Sequence, residues 1–516
     1  MHNAFFEANY AIPFRALPGA VCVADVNAQD WLRIAQMIHA EGGRMVSIWA
    51  TERRPLADAA VVSVVYRATE GLLWLRLALD DGASYPDLST LFPAAVRMQR
   101  TLFELLGICA DGAPDLRPWL NHGRWPPDYF PLRFENSGQE QFNTELEPYA
   151  FVAVAGDGVH EFAVGPIHAG VIEPGHFRFS VVGEKVLRLE QRFGYTHKGT
   201  DKLFIGRSVA DGATLAGRVS GDSTVAFAWA YCMAAEAASA CPAPKRAEWL
   251  RALLLERERV ANHLGDLGAL GNDAGLAFGL AQFTRLKEDW VRLNRQLFGH
   301  RFMMDCIIPG GVTIDLDAAA SAALTAQCDA IEAEVRTLRH IYDEHAGLQD
   351  RFMNAGRVAP KMAAELGLCG LAGRASGQAS DARAGQTRGP YAELGLGMAT
   401  QRNGDVAARV AVRFDEVFES IRLVRDIVRQ LPPGPTALPA ATGSGPSLGA
   451  GWVEGFRGPV FVALETDRQG TILRCHCHDP SWHNWPVLQH AIMGNIVPDF
   501  PLINKSFNLS YSGADL

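Results

Sequence analysis

The sequence predicts an α+β protein, with a small α/β domain over residues 1–145 and a helical bundle carrying β appendages over 146–516. Three observations carry this prediction. Residues 60–66 (AVVSVVY) and 72–79 (LLWLRLAL) are strand-length apolar runs rich in β-branched, aromatic and leucine side chains. Residues 245–271 repeat Leu250, Leu253, Leu254, Val260, Leu264 and Leu267 at helical spacing, and residues 406–431 set Val410, Phe414, Val417, Ile421, Val424 and Val428 in one stripe. Alternating runs at 150–164, 177–189 and after Arg457 supply short strand pairs at the ends of those helices.

Length and composition bound the rest. A chain of 516 residues exceeds one compact core and implies roughly two to four domains. At 48% hydrophobic and 20% charged residues it has the balance of a globular protein. A net charge of -9 without any Lys/Arg run argues against a nucleic-acid surface. No window approaches a membrane span, and the N-terminal stretch lacks the basic end and apolar core of a secretion signal, so a cytoplasmic location is expected. Nine cysteines without a C-x-x-C pair fit reduced thiols and offer no spacing for an iron–sulfur or structural zinc site.

In the first domain a helix is predicted over 93–106, with Val96, Leu102, Leu105 and Leu106 sharing a face. The segment 117–135 (RPWLNHGRWPPDYFPLRFE) has no period but many aromatics, which suits a strap lying on a neighbour. From about residue 148 a second unit begins, with a hairpin turning at Gly183-Glu184. The preceding loop, GPIHAGVIEPGHFR, holds His168, Glu173 and His176, which invite a metal or acid–base reading. Their spacing places no two donors on one helical face, and polar loop residues usually satisfy the backbone.

The stretch RVSGDSTVAFAWAYCMAAE follows, with Ser220 and Ser223 in S-x-x-S spacing before an apolar helix. A serine there is placed to accept a hydrogen bond from a first-turn N–H. On the 245–271 helix Glu256, Arg259 and His263 fall on or beside one face, the pattern of a buried, ion-paired structural helix. Another helix is expected over 280–298. Residues 370–392 are Gly/Ala/Arg-rich without period, and Arg374, Arg383 and Arg388 must either face water or meet carboxylates. In RCHCH a strand would send Cys475 and Cys477 to one face and His476 and His478 to the other, so the four cannot converge on a metal.

Longer stretches resemble a known family. YPDLSTLFPAAVRMQRTLFELLGI, PDLRPWL and PPDYFPLR are similar to the 30-kDa subunit of respiratory complex I. GPIHAGVIEPGHFRF, GYTHKGTDKL, ERERVANHLGDLG, RFMMDCIIPGGV, the 403–435 stretch and the C-terminal DPSWHNWPVLQHAIMGNIVPDFPLINKSFNLSYSGADL resemble its 49-kDa subunit and the large subunits of membrane-bound nickel–iron hydrogenases. Fused in this order, the two parts look like hydrogenase-4 and formate hydrogenlyase large subunits. The resemblance implies an oxidoreductase-family subunit of the NADH:quinone oxidoreductase and hydrogenase class, with quinone and NAD binding attached to that class. It implies a small iron–sulfur subunit and ion-translocating membrane subunits as partners. It also implies a peripheral place on the cytoplasmic face of the inner membrane, through a complex, and a structural N-terminal domain.

The same resemblance exposes a loss. In the hydrogenases two cysteine pairs hold nickel and iron; the first pair falls on Ser220 and Ser223, and the second on Ser510 and Gly513. These metals need soft thiolates, and a serine alkoxide is not available near neutrality, so no metal or other cofactor of the chain's own is expected. The chain also stops three residues after Gly513, without the extension hydrogenases have cut off during nickel loading. In complex I the loop's second histidine is set against the quinone head group. That position is Ile172 here, and nothing from Arg218 to Val225 is aromatic where the partner tyrosine is expected. The candidate cleft is therefore His168, Glu173, His176, Ser220, Asp222, Ser223 and Ser510, with no catalytic residue assigned. Three readings follow: a metal-free large subunit whose cleft takes a quinone-like acceptor or transmits a conformational signal, a scaffold subunit without redox role, or a hydrogenase with altered ligands.

Overall fold

The structure, a computed structural model, describes residues 2–53, 60–68, 71–143, 148–169, 172–385, 389–439 and 446–516. The two apolar N-terminal runs are adjacent strands, Ala60–Ala68 and Gly71–Leu79, of a five-stranded sheet. Its order is Arg15–Leu17, Val21–Val26, Gly71–Leu79, Ala60–Ala68, Arg44–Glu52, antiparallel except where Val21–Val26 meets Gly71–Leu79. The runs are continuous rather than alternating because both faces are covered. One face packs with the Ala28–Ala40 and Ala95–Leu106 helices. The other sets Val21, Val23, Trp49 and Trp74 against Ala450, Phe461 and Ala463 of a C-terminal sheet.

On the Ala95–Leu106 helix Leu102, Leu105 and Leu106 are buried, while Val96 is half-buried and Met98 completes the face. The 117–135 segment straps the second unit, as its aromatics suggest. Trp119 packs on Phe193, His122 bonds the Phe193 carbonyl at 2.6 Å, and Arg192 donates to the Asn121 carbonyl at 2.7 Å.

The strand expected from residue 150 begins only at Val159. Side chains occupy the backbone before it: the Val152 N–H donates to Glu190 at 2.9 Å and the Ala150 carbonyl accepts from Arg117 at 2.7 Å. The hairpin His176–Val182 and Lys185–Arg192 turns at Gly183, whose φ of +59° suits glycine.

The C-terminal sheet is Ser447–Glu454, Pro459–Thr466 and Ile472–His478, antiparallel in that order. Its first strand is absent from the sequence expectations because Gly449 and Gly451 imitate a loop. A Cβ at either would strike a carbonyl oxygen, Ala234 or Ala230, of the Thr224–Ser239 helix lying on it. Cys475 and Cys477 enter the core, while His476 bonds Ser47 at 2.8 Å and stacks on Trp49, so they take opposite faces as expected.

In the bundle the Lys245–Asp273 helix packs on Ala277–Phe298 and Val406–Gln430, and the latter packs on Ala318–Glu344. That last helix went unanticipated, although Leu324, Cys328, Ile331, Val335, Leu338 and Tyr342 recur at helical spacing and Asp317 caps its start. Arg374 and Arg383 are buried on carboxylates; Arg388 lies outside the described residues. Among the described residues no helix is long and apolar enough to cross a membrane.

Candidate functional site

A cavity of about 610 Å³ opens between the loop after Val164, the turn before the Thr224–Ser239 helix, one face of Lys245–Asp273, the Phe500–Phe507 helix and the C-terminal segment. Its walls include His168, Ile172, Glu173, Ser220, Asp222, Asn262, Asp266, Lys505, Ser510 and Tyr511. The fold brings Ser220 and Ser510, 290 positions apart, to 2.9 Å between hydroxyls.

That contact sits in a closed set of bonds. The Ser220 hydroxyl donates to Asp222 at 3.0 Å. The Ser510 oxygen accepts the Gly513 N–H at 2.9 Å and lies 3.4 Å from the Ser512 hydroxyl. Asp222 in turn accepts both terminal nitrogens of Arg457, at 2.7 and 2.5 Å, while the Arg457 Nε donates to the Asn508 carbonyl. Enclosure alone would push the Asp222 carboxyl up, but the Arg457 guanidinium outweighs it and holds the group below its ordinary value. Arg457 thereby ties the serine turn to the C-terminal segment.

The expected serine cap is absent. Ser223 stands at the helix start, yet its side chain takes no first-turn N–H, because its hydroxyl is turned to Asp222 and Arg457, 3.3 Å from each. The free N–H groups of Val225 and Ala226 instead donate to the Glu258 carboxylate, at 2.7 and 3.2 Å, from a helix that follows in the chain. Burial pushes the Glu258 carboxyl up to about 8, against those two bonds.

Of the loop residues, His168 and Glu173 reach the cavity and His176 does not. The His168 Nε2 lies 3.4 Å from the Tyr511 hydroxyl, and Glu173 accepts the Ser512 N–H at 3.0 Å. His176 is buried with its Nδ1 3.2 Å from the Gly165 carbonyl oxygen. Burial holds both imidazoles below their ordinary value. Ser223 and Gly513 are likewise not walls of the cavity. Gly513 stands against Asp479, where an added Cβ would come within 2.6 Å of Oδ2.

The four positions do not suit nickel and iron. Three carry hydroxyls bonded within the protein, and the fourth has no side chain. Hydroxyls are hard donors that stay protonated near neutrality, whereas these ions take thiolate. Among the described residues no three His, Cys, Asp or Glu side chains group as metal ligands would.

Several walls escaped sequence reasoning. Asn262 and Asp266 sit four apart on the Lys245–Asp273 helix, a spacing that was readable. Arg457, Lys505 and Tyr511 join them only through tertiary contacts. Asp266 meets Lys505 at 3.2 Å and Arg413 at 3.1 Å; burial pushes its carboxyl up, but these cations outweigh it and bring it down to about 2.

Residues 24–141 match the family described as respiratory-chain NADH dehydrogenase, 30 Kd subunit, and residues 273–447 match the 49 Kd subunit. The chain is 30% identical over 491 residues to formate hydrogenlyase subunit 5 of Escherichia coli (strain K12), spanning 93% of this chain and 86% of that one. It is 25% identical to an NADH-quinone oxidoreductase subunit of Bacteroides fragilis, spanning 80% and 83%. Among solved structures, a chain of the membrane-bound sulfane sulfur reductase, an archaeal respiratory membrane complex, matches with a TM-score of 0.66 at 25% identity, covering 70% of this chain and 99% of that one.

Proposed function

Because the chain belongs to the family of large subunits shared by membrane-bound hydrogenases and complex I, with 30-kDa-like and 49-kDa-like parts fused, we propose that it is the large peripheral subunit of a membrane-bound respiratory-type oxidoreductase complex without a nickel–iron cluster of its own. The observation that carries this reading is the 2.9 Å contact of Ser220 with Ser510, closed by Asp222 and the Gly513 N–H, at positions that the resemblance matches to the metal ligands of the hydrogenases. Residues 1–145 form the complex I 30-kDa-like domain and 146–516 the domain like the hydrogenase large subunit and the complex I 49-kDa subunit. Its partners are a small iron–sulfur subunit and ion-translocating membrane subunits, on the cytoplasmic face of the membrane.

The cavity takes a quinone-like acceptor. Val164, Ile172 and Phe500 offer apolar wall for a ring, and Ser220 and Asp222 offer polar groups. Ile172 cannot act as the histidine that family uses, but His168 and Tyr511 present a different imidazole–phenol pair at 3.4 Å. Reduction of a quinone there takes two electrons delivered through a partner subunit and two protons drawn from water; the Tyr511 O–H hands on a proton and is reprotonated through His168, whose neutral imidazole can accept and pass one. Metal analysis of the purified complex tests the first claim: stoichiometric nickel bound by this subunit removes it. Tyr511→Phe tests the second, with a several-fold loss of quinone reductase turnover expected in an intact complex.

The saturation of the serine hydroxyls favours a second reading, a scaffold without electron or quinone traffic. It requires that Ser220→Ala combined with Asp222→Ala leave turnover of the assembled complex unchanged.

A further inference from the structure

Beside the stripe that meets the cavity, the Lys245–Asp273 helix carries a second polar stripe, and this one is dry. Glu256, Asp381, Glu416 and Glu454 meet Arg259, Arg374 and Arg383 there, with side chains 0–2% exposed. Arg383 joins Glu256 at 3.1 Å to Asp381 at 2.7 Å, Arg374 joins Glu416 at 2.7 Å to Glu454 at 2.6 Å, and Arg259 lies 3.3 Å from Glu256 and 3.5 Å from Glu416. Four carboxyl groups meet three guanidiniums in this linked set, and burial, with Asp381 beside it, pushes the Glu454 carboxyl up toward holding a proton of its own. An unbalanced charge in such a place costs several kcal/mol.

A further seat for a proton lies at the edge of the set, where Glu416 meets a histidine. Glu454 accepts from Arg374 and the Ala382 N–H, Asp381 from Arg383, and Glu256 from the Tyr391 and Ser420 hydroxyls and the arginines, so these oxygens are already committed as acceptors. Glu416 Oε1 is taken by Arg374, but its Oε2 lies 2.8 Å from His263 Nε2. The other ring nitrogen, Nδ1, is buried and has no hydrogen-bond partner among the described residues. Buried polar atoms normally find one.

We propose that His263 is a proton-binding site: an N–H bond forms at Nδ1 with a proton drawn from water, and the resulting imidazolium is held by Glu416. The groups that face it are Glu416 and Arg413 from the Val406–Gln430 helix, Arg259 and Asp266 from its own, Arg374 beyond Glu416, and Lys505 and Arg457 beyond Asp266. Burial, with Arg413 and Arg259, holds the imidazole below its ordinary value while Glu416 draws it up. Asp266 is both a wall of the cavity and the partner of Arg413. A negative charge arriving in the cavity therefore raises the proton affinity of His263, and the protein takes up a proton with it. This inference needs no particular ligand in the cavity.

Full-length protein carrying ring-labelled histidine tests it by magnetic resonance, the His263 signal being the one lost in His263→Gln. A single protonation on the acid side of ordinary histidine is expected. Asp266→Asn lowers the proton affinity and Arg413→Gln raises it, each by roughly tenfold or more. Lys505→Gln, at the cavity wall and outside the packed cluster, raises it by a smaller factor and serves if a buried variant does not fold. A signal that stays still over the whole range in which the protein is folded, or a midpoint indifferent to Asp266 and Lys505, overturns the proposal.

Discussion

One helix, Lys245–Asp273, borders two neighbouring polar regions of opposite character. On one side Asn262 and Asp266 look into a cavity of about 610 Å³ walled by serines, amides and charged groups. On the other, Glu256, Arg259 and His263 join a cluster whose charges meet one another, the Tyr391 and Ser420 hydroxyls and the backbone. A charge in the cavity that loses its partner can turn to water, whereas one in the cluster cannot. Residue types that look alike in the sequence thus carry different energetic weight according to access to solvent.

Breaking the dry side gives the largest effect. Arg374→Ala leaves Glu416 and Glu454 without their shared cation and lowers stability by about 3–5 kcal/mol in urea unfolding. A loss below about 1 kcal/mol would mean that water reaches the cluster and would erase the contrast. Glu258 comes next, as a buried acid without a cation partner among the described residues. Its folded value near 8 lies above the ordinary 4.5, so the folded state keeps a proton that the unfolded chain releases. Its contribution to stability is complete below about 4.5 and is lost as pH rises to about 8, a difference on the order of a few kcal/mol. The Glu258→Gln variant flattens the stability profile across that window; an unchanged slope refutes the assignment.

On the wet side the effects shrink. Arg457→Ala costs about 2 kcal/mol, because Asp222, with a side chain 39% exposed to the cavity, regains water. Ser220→Ala costs about 1 kcal/mol or less in the same unfolding assay, since Ser510 keeps the Gly513 N–H and Ser512. A cost for Ser220→Ala equal to that for Arg374→Ala would show that the cavity is as dry as the cluster.

Local pattern made much of the fold legible. The 60–68 and 71–79 strands follow from strand-length apolar runs, and the 176–192 hairpin and the 245–273, 277–298 and 406–430 helices from side-chain pattern, which needs no knowledge of a partner. The opposite faces of Cys475/Cys477 and His476/His478 follow from the pleat alone. The Ala318–Glu344 helix was readable too, from its cap and its stripe, under a cover of alanines. The Ser447–Glu454 strand was not, because its glycines answer to a helix laid upon it and to no local preference.

By itself the sequence determined the type of its strongly patterned elements and the family, and it puts Ser220, Ser223, Ser510 and Gly513 where the resemblance expects thiolates, because these depend on residue identity and short-range spacing. Tertiary structure alone decided that Ser220 meets Ser510, that Glu258 rather than a serine serves the helix start, that His176 leaves the cavity while Tyr511 enters it, and that His263 faces Glu416. Hydrogen bonds and ion pairs are made between groups within a few ångströms in space, and the chain brings those groups together from positions whose separation along it carries no record of the contact.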